Sequence, residues 1–522
     1  MPPAIILSTL NARYIHASLG LRYLLANLDR HGGAGLRQRA VLREFTIARP
    51  VAEIAAAILA ELGEPVAGQP QIVGLGVYIW NVAPTTELVR QLKAARPTLS
   101  IVLGGPEVSH EWQEQEIVRL ADHLITGWGD VSFAKLCRAL LDGPPPLMKV
   151  IPGEQPALDD IALPYAEFTD DDLAHRLLYV EASRGCPFKC EFCLSALDKT
   201  AWAFDQTRFL AALDTLHQRG ARHFKFVDRT FNLKIASSLA ILQFFLDRLT
   251  PDLFLHFEVI PDHLPERLKA MIARFPPGVL QLEIGVQTFN PEVQQTIARR
   301  QDNASTCENL AWLADHSPAH LHVDLIFGLP GETLESFAQG FDRLYALHPH
   351  EIQLGVLKRL RGTPIARHSA AHGMIYDPEP PYTVQQTAVV DAATVQRFTR
   401  LARYWDLLAN SGRFKASLSL LLEAPSAFAA FLAFSEWLWQ ATAQTHRLTP
   451  EALVDSLFHY LTTVIGHDRE AVRQTLLADY QSSGARANPA CLQGLLKDRE
   501  KPVPRSAKAL AQRQALHGSV IR

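Results

Sequence analysis

"LLYVEASRGCPFKCEFC", residues 177–193, decides how this 522-residue chain is read. Its first half is a short apolar run of strand type, and its second half sets Cys186, Cys190 and Cys193 within eight positions. Thiolates hold zinc or iron–sulfur clusters, and four protein sulfurs are the usual complement. Here the triplet has no fourth member close by. Cys137, Cys307 and Cys491 stand singly and read as small buried hydrophobes. If an iron–sulfur cluster sits on three thiolates, one iron is left open to a small molecule.

Working outward, the strand before the triplet is the first of a series: "HFKFVDRTF", "LFLHFEVIP", "VLQLEIGVQ", "LHVDLIFGLPG" and "EIQLGVLKRL" follow, each with a helix-like stretch after it. Six βα repeats are two short of a full eight-stranded barrel, so a partial (β/α)6 TIM-type barrel is expected over 171–375, with function at the C-terminal strand ends. Upstream, "AIILSTL", "AVLREFTI", "QIVGLGVYIW", "SIVLGGPEV" and "HLITGWG" alternate with amphipathic stretches. That pattern predicts a doubly wound, flavodoxin-like parallel sheet of five strands over 1–142, with ligand-facing residues just after the strands. A Pro-, Gly- and Asp-rich stretch at 143–170 reads as a linker. From 376 to 522 the pattern is helical, and the aromatics of "FAAFLAFSEWLWQ" read as a core stripe. The fold class is thus α/β with an all-α C-terminal domain.

Composition bounds the function. The chain is 48% hydrophobic and 20% charged with a net charge of −3, which fits a globular protein and argues against a general electrostatic grip on nucleic acid. The tail "KDREKPVPRSAKALAQRQALHGSVIR" is basic and reads as a solvated end. No apolar run reaches the roughly 18 residues of a membrane helix, and "MPPAIILSTL" reads as a buried first strand and not as a signal peptide, so a cytoplasmic protein with no membrane partner is expected.

The triplet, with Phe192 just before its third cysteine and at the end of the first barrel strand, resembles the signature of the radical SAM superfamily. The resemblance implies a [4Fe–4S] cluster on Cys186, Cys190 and Cys193, with S-adenosylmethionine on the open iron and an external electron donor of flavodoxin or ferredoxin type. "EIGVQTFNPEVQQTIARR" (283–300) and "HVDLIFGLPGET" (322–333) resemble the fourth and fifth strands of the branch containing oxygen-independent coproporphyrinogen oxidases and Elongator-type tRNA-modifying enzymes. By position, Phe192, Glu258, Gln287, Arg299, Asp324 and Gly328 are then implied contacts of S-adenosylmethionine. An arginine suits its carboxylate, and acids and amides suit its hydroxyl and ammonium groups. "VDRTFN" (227–232) departs from the Gly-Gly-Glu of that branch; its Asp228 and Asn232 look like the cobalamin-linked branch.

The N-terminal sheet before such a barrel resembles the cobalamin-binding domain of the cobalamin-dependent radical SAM class. Asn11, Tyr14 and His16 of "LNARYIH" are then implied to line the lower face of the corrin. Tyr78 lies in the intervening "VYIWN", and Gly104, Gly105, Gly127 and Gly129 let the corrin or its nucleotide tail lie against bare backbone. "DRHGGAG" (29–35) is a decoy for a cobalt-binding loop, since it ends a helix instead of following the first strand. The class implies methyl transfer to an unactivated carbon of a small-molecule or peptide substrate. Radical cyclisation or rearrangement, a tRNA-modifying enzyme, and a non-catalytic cobalamin sensor with structural zinc are the alternatives.

Overall fold

The computed structural model describes residues 2–198, 200–483, 485 and 487–496, so the basic tail from 497 onward lies outside the described residues. The first sheet contains β1 (Ile5–Asn11), β2 (Ala40–Thr46), β3 (Ile72–Gly76), β4 (Ser100–Gly104), β5 (His123–Thr126) and β6 (Val150–Pro152), in the order β2-β1-β3-β4-β5-β6. Every pairing is parallel. Alternate residues feed two cores. Ile6, Val73, Ile101 and Leu103 pack on one side, while Ile5, Leu7, Ile72 and Val102 pack on the other with Phe133. Helices on both faces explain why these strands read as nearly unbroken apolar runs.

Two sequence expectations need correction here. The sheet has six strands where five were expected, because "VIP" of the stretch read as a linker pairs with β5 through Leu124, Ile125 and Thr126. The amphipathic stretch expected between β4 and β5 is not one helix but a one-turn segment Trp112–Glu114 and a short helix Glu116–Leu120.

The second sheet runs β14-β13-β12-β11-β10-β7, from β7 (Leu178–Val180) through β10 (His223–Phe226), β11 (Phe254–Val259), β12 (Leu280–Gln287) and β13 (His320–Phe327) to β14 (Glu351–Val356). All pairings are parallel and sequential, with β7 and β14 at the two edges. A short antiparallel pair, β8 (Ser183–Arg184) with β9 (Trp202–Ala203), brackets the cysteine loop. One face of the sheet packs Phe224, Phe226, Leu255, Phe257, Leu282, Val323 and Phe327 into the main core.

After β14 the chain forms a strap with the small pair β15 (Ile375–Tyr376) and β16 (Val384–Gln386), so the helical region begins at Ala392 and not at 376. Its helices, among them Ala392–Leu408 and Ala427–Thr442, carry the aromatic stripe as core: Phe428, Phe431 and Phe434 are buried, and Trp405 stands edge-on to Phe341 and Phe431 at 4.9 Å. Among the described residues no helix is long and apolar enough to cross a membrane.

Candidate functional site

The cysteine loop leaves β8 through Gly185, whose φ of +87° and position 1.9 Å (from a would-be Cβ) to the Thr200 carbonyl oxygen admit only glycine. The loop is braced from both ends. Before it, Asp228 accepts from the Ala182 N–H at 3.0 Å and the Ser183 hydroxyl at 2.5 Å. Arg184 donates to both oxygens of Asp130 (2.9 and 3.2 Å) and to Glu181 (2.7 Å), with its guanidinium near the rings of Tyr23, Trp128 and Phe204. Within it, the buried Glu191 carboxylate takes Arg367 and His368 from the strap, and the Ile365 N–H donates to the Glu191 carbonyl at 3.0 Å. Sequence reading missed Arg184, because its anchor Asp130 lies 54 residues upstream.

Cys186, Cys190 and Cys193 line one cavity of about 230 Å³ together with Phe192, Glu258, Gln287, Arg299 and Asp324. β12 places Gln287 by an irregularity: its register with β13 slips between Gly285 and Gln287, and Gln287 adopts φ +71°. Such a bulge re-aims a side chain, and a strained non-glycine residue is often found at a functional site. A Cβ on Gly285 would lie 2.4 Å from Gln287 Nε2, so the glycine leaves room for that amide. Arg299 is held by the Gly285 carbonyl and by Gln301, and one of its nitrogens lies 3.7 Å from Cys190 Sγ. Arg229 grips both oxygens of Glu258 at 2.8 and 2.9 Å. Burial raises the Glu258 pKa and the arginine pulls against it.

Gly328 is not in this lining. A Cβ there would lie 2.5 Å from Val384, so its φ of +86° and missing side chain serve the packing of β16. Asn232 also acts at a remove: its amide donates to the Ile260 and His263 carbonyls and accepts the Ile260 N–H, shaping the loop whose Ile260, Pro261 and Asp262 line the cavity.

Below this cavity the inner face of the second sheet is polar. Lys225, His256, Gln281, Glu283, His322, Asp324, Glu351 and Gln353 line a space of about 530 Å³ that shares Glu283, Gln287 and Asp324 with the cysteine cavity. Burial lowers the His256 pKa to about 4, so it is neutral near pH 7 and donates to Glu283 at 2.8 Å. Burial opposes charge on Glu283, but that bond and Lys225 at 3.1 Å outweigh it and leave the carboxylate ionised. Burial likewise opposes charge on His322, yet Asp324 and Glu351, each 3.4 Å away, raise its pKa to about 10. The sequence signal was the strict alternation in "LQLEIGVQ" and "HLHVDLIF".

The first sheet carries a different cavity, of about 310 Å³, at the ends of β3, β4 and β5. Tyr78, Gly104, Gly105, Gly127 and Gly129 all line it, with Leu24, Val102, Ile125, Trp128 and Arg184. Gly105 has φ +113°, and a Cβ would lie 2.4 Å from the Val77 carbonyl oxygen. Gly127 faces open space, as a wall against which a ligand could lie would. Asn11, Tyr14 and His16 do not line it. Asn11 bonds the His16 carbonyl and Glu44, Tyr14 bonds Asp171, and His16 bonds Tyr179 and bridges to Leu177, so this loop docks the first sheet onto β7. His31 meets the Asp160 carbonyl outside the cavity.

A family model described as the radical SAM superfamily matches residues 180–344, the span from β7 through β13. That span is similar to the radical SAM superfamily. A second model, described as a protein of unknown function (DUF4080), matches residues 370–521. The cobalamin-dependent radical SAM methyltransferase TokK of Streptomyces tokunonensis is 24% identical over 330 residues, 55% of this chain and 47% of that protein. An oxygen-independent coproporphyrinogen III oxidase of Paracoccus denitrificans is 31% identical over 97 residues, 19% of this chain and 21% of that one. The chain spans about half the length of TokK. Among solved structures, the cobalamin-dependent S-adenosylmethionine radical enzyme OxsB superposes with a TM-score of 0.61 at 14% identity, covering 95% of this chain and 81% of that one. The radical S-adenosylmethionine methyltransferase TsrM of Kitasatospora setae, with cobalamin and a [4Fe–4S] cluster bound, gives 0.56 at 14% identity, covering 92% and 100%. The chain therefore shares its overall fold with both.

Proposed function

We propose that the protein is a cobalamin-dependent radical SAM methyltransferase acting on an unactivated carbon. The observation that carries this reading is the meeting of three free cysteines, from the loop that follows Arg184, with Glu258, Gln287, Arg299 and Asp324 around one cavity, while Arg184 itself is part of the lining of a glycine-rich cavity in the first sheet. The donor set fits the cluster. The three thiols line one space, and thiolates are the usual ligands of iron–sulfur clusters. The first-sheet cavity fits a corrin tail where its glycines leave the strand ends bare between apolar side chains.

When bound, the cluster and S-adenosylmethionine supply a 5′-deoxyadenosyl radical, and cobalamin supplies a methyl carrier. The chain's residues do the holding. Cys186, Cys190 and Cys193 take the cluster; Arg299 takes the carboxylate of S-adenosylmethionine; Gln287, Glu258 and Asp324 take its hydroxyl and ammonium groups. Phe192 packs beside them. Tyr78 and the four glycines take cobalamin. By this reading the first sheet is the corrin unit, the second sheet the radical unit and the helices from Ala392 onward a cover, with a flavodoxin- or ferredoxin-type donor supplying electrons and the whole working in the cytoplasm.

Anaerobic reconstitution tests it. The expected result is iron–sulfur and cobalamin absorbance in one protein, with 5′-deoxyadenosine and S-adenosylhomocysteine released on reduction. Cys190→Ala is expected to reduce deoxyadenosine release to background, and Gly127→Val to lower cobalamin retention with the cluster intact. Deoxyadenosine without S-adenosylhomocysteine or a methylated product would replace methyl transfer by a radical cyclisation or rearrangement.

A further inference from the structure

We propose that the polar cavity inside the second sheet is the substrate pocket and that it takes a small uncharged or cationic molecule rich in hydroxyl or amino groups. The inference rests on the function proposed above. Three observations carry it: where the cavity opens, what lines it, and how its charges balance.

The cavity holds about 530 Å³ and adjoins the cysteine cavity through Glu283, Gln287 and Asp324. A molecule in it lies next to the place where the radical would be generated, which is where a reacting carbon has to be. Its lining is hydrogen-bonding almost throughout, with only Leu325, Ile326 and Gly355 apolar. An apolar guest would desolvate amides, imidazoles and carboxylates without replacing their bonds, at a cost for each buried group. A guest with several hydroxyl or amino groups replaces them.

The charge pattern narrows the class. Glu283, Asp324 and Glu351 present carboxylates to the space, and its cations are already engaged: Lys225 by Glu283, and His322 by Asp324 and Glu351. His256 is neutral near pH 7, its pKa lowered to about 4 by burial. A phosphate or carboxylate guest would add negative charge beside three carboxylates whose cations are already paired, whereas a hydroxyl or ammonium group can donate to the lone pairs these paired carboxylates still offer. The exposed Gln353 side chain stands at the edge strand β14, where the space is open to entry.

The test uses the anaerobically reconstituted full-length protein and equilibrium dialysis against nucleosides and amino sugars, each paired with its phosphate ester, together with indole as an apolar probe. The expected result is binding of at least one unphosphorylated member, with its phosphate ester at least about tenfold weaker. Glu351→Gln is expected to weaken that binding by about tenfold while the cluster absorbance is retained. Because Glu351 is buried, Gln353→Leu at the exposed edge is the second variant, with a loss of a few-fold expected. Preference for the phosphate esters or for indole, no binding by any unphosphorylated member, or binding unchanged in both variants overturns the inference. If cluster absorbance and deoxyadenosine release are both absent, the function proposed above fails and this inference with it. If both are present and the panel fails, only the inference falls.

Discussion

In the first sheet, β4 buries Ile101 and Leu103 on one face and Val102 on the other. In the second, β13 buries Leu321, Val323 and Leu325 on one face, while His322 and Asp324 on the other line an open cavity. Both sheets are parallel and six-stranded, so the difference lies in what covers the second face. Helices cover both faces of the first, and its ligand space is confined to the strand ends, where glycines withhold side chains. One face of the second packs into the main apolar core and the other lines a polar cavity, so its strands supply chemistry along their length. The same backbone architecture thus offers shape in one half and hydrogen-bonding groups in the other.

The sharpest break of that comparison is a polar residue placed in each sheet. Ile101→Asn is expected to destabilise the protein by roughly 3–5 kcal/mol, since an amide would be buried without partners. Gln281→Asn on the polar face is expected to cost only about 1 kcal/mol by denaturant unfolding. Arg184→Lys tests the joint between the halves. Loss of the forked contact to Asp130 and of stacking on Tyr23 and Trp128 is expected to cost about 2–3 kcal/mol and to weaken cobalamin retention and cluster assembly together. A loss confined to one cofactor would show that the two cavities are not joined there.

Asp228 gives a pH signature. Burial raises its pKa to about 7, so the folded protein keeps this proton where the unfolded chain has lost it. Between about pH 4 and pH 7 the folded state binds more protons at this site, and its contribution to stability falls as pH rises through that window and then levels off. Asp228→Asn is expected to flatten that part of the stability–pH curve, read by denaturant midpoints at successive pH values. The smallest effect belongs to His31→Ala at the decoy loop: a change within about 0.5 kcal/mol and unaltered cobalamin retention.

Much of this was legible in the sequence because it is local. Each barrel strand announces itself as a short apolar or alternating run. The cysteine triplet lies in one loop, and Glu258, Gln287 and Asp324 fall on the successive strands β11, β12 and β13, with Arg299 after the helix that follows β12. What was not legible is set by distant partners. Asn11, Tyr14 and His16 follow β1 as a ligand loop should, but Tyr179, Leu177 and Asp171 draw that loop into the seam between the sheets. Gly328 looks like a glycine cleared for a ligand until Val384, 56 positions later in the numbering of the chain, is seen against it. The polar inner face was overlooked because alternation alone does not say whether the polar side meets solvent or a cavity.

The strap after β14 ties two loops made long before it. Arg359 pairs with Glu111, Arg361 and Tyr382 bond the buried Glu107 beyond Gly105, and Arg367 and His368 hold Glu191 between the second and third cysteines. Chain order gives this a temporal meaning. During synthesis both loops emerge well before their partners exist, and the cysteine loop lacks its ionic brace until the ribosome has passed His368. The brace on Glu191 is thus the work of residues 176 and 177 positions further along the chain.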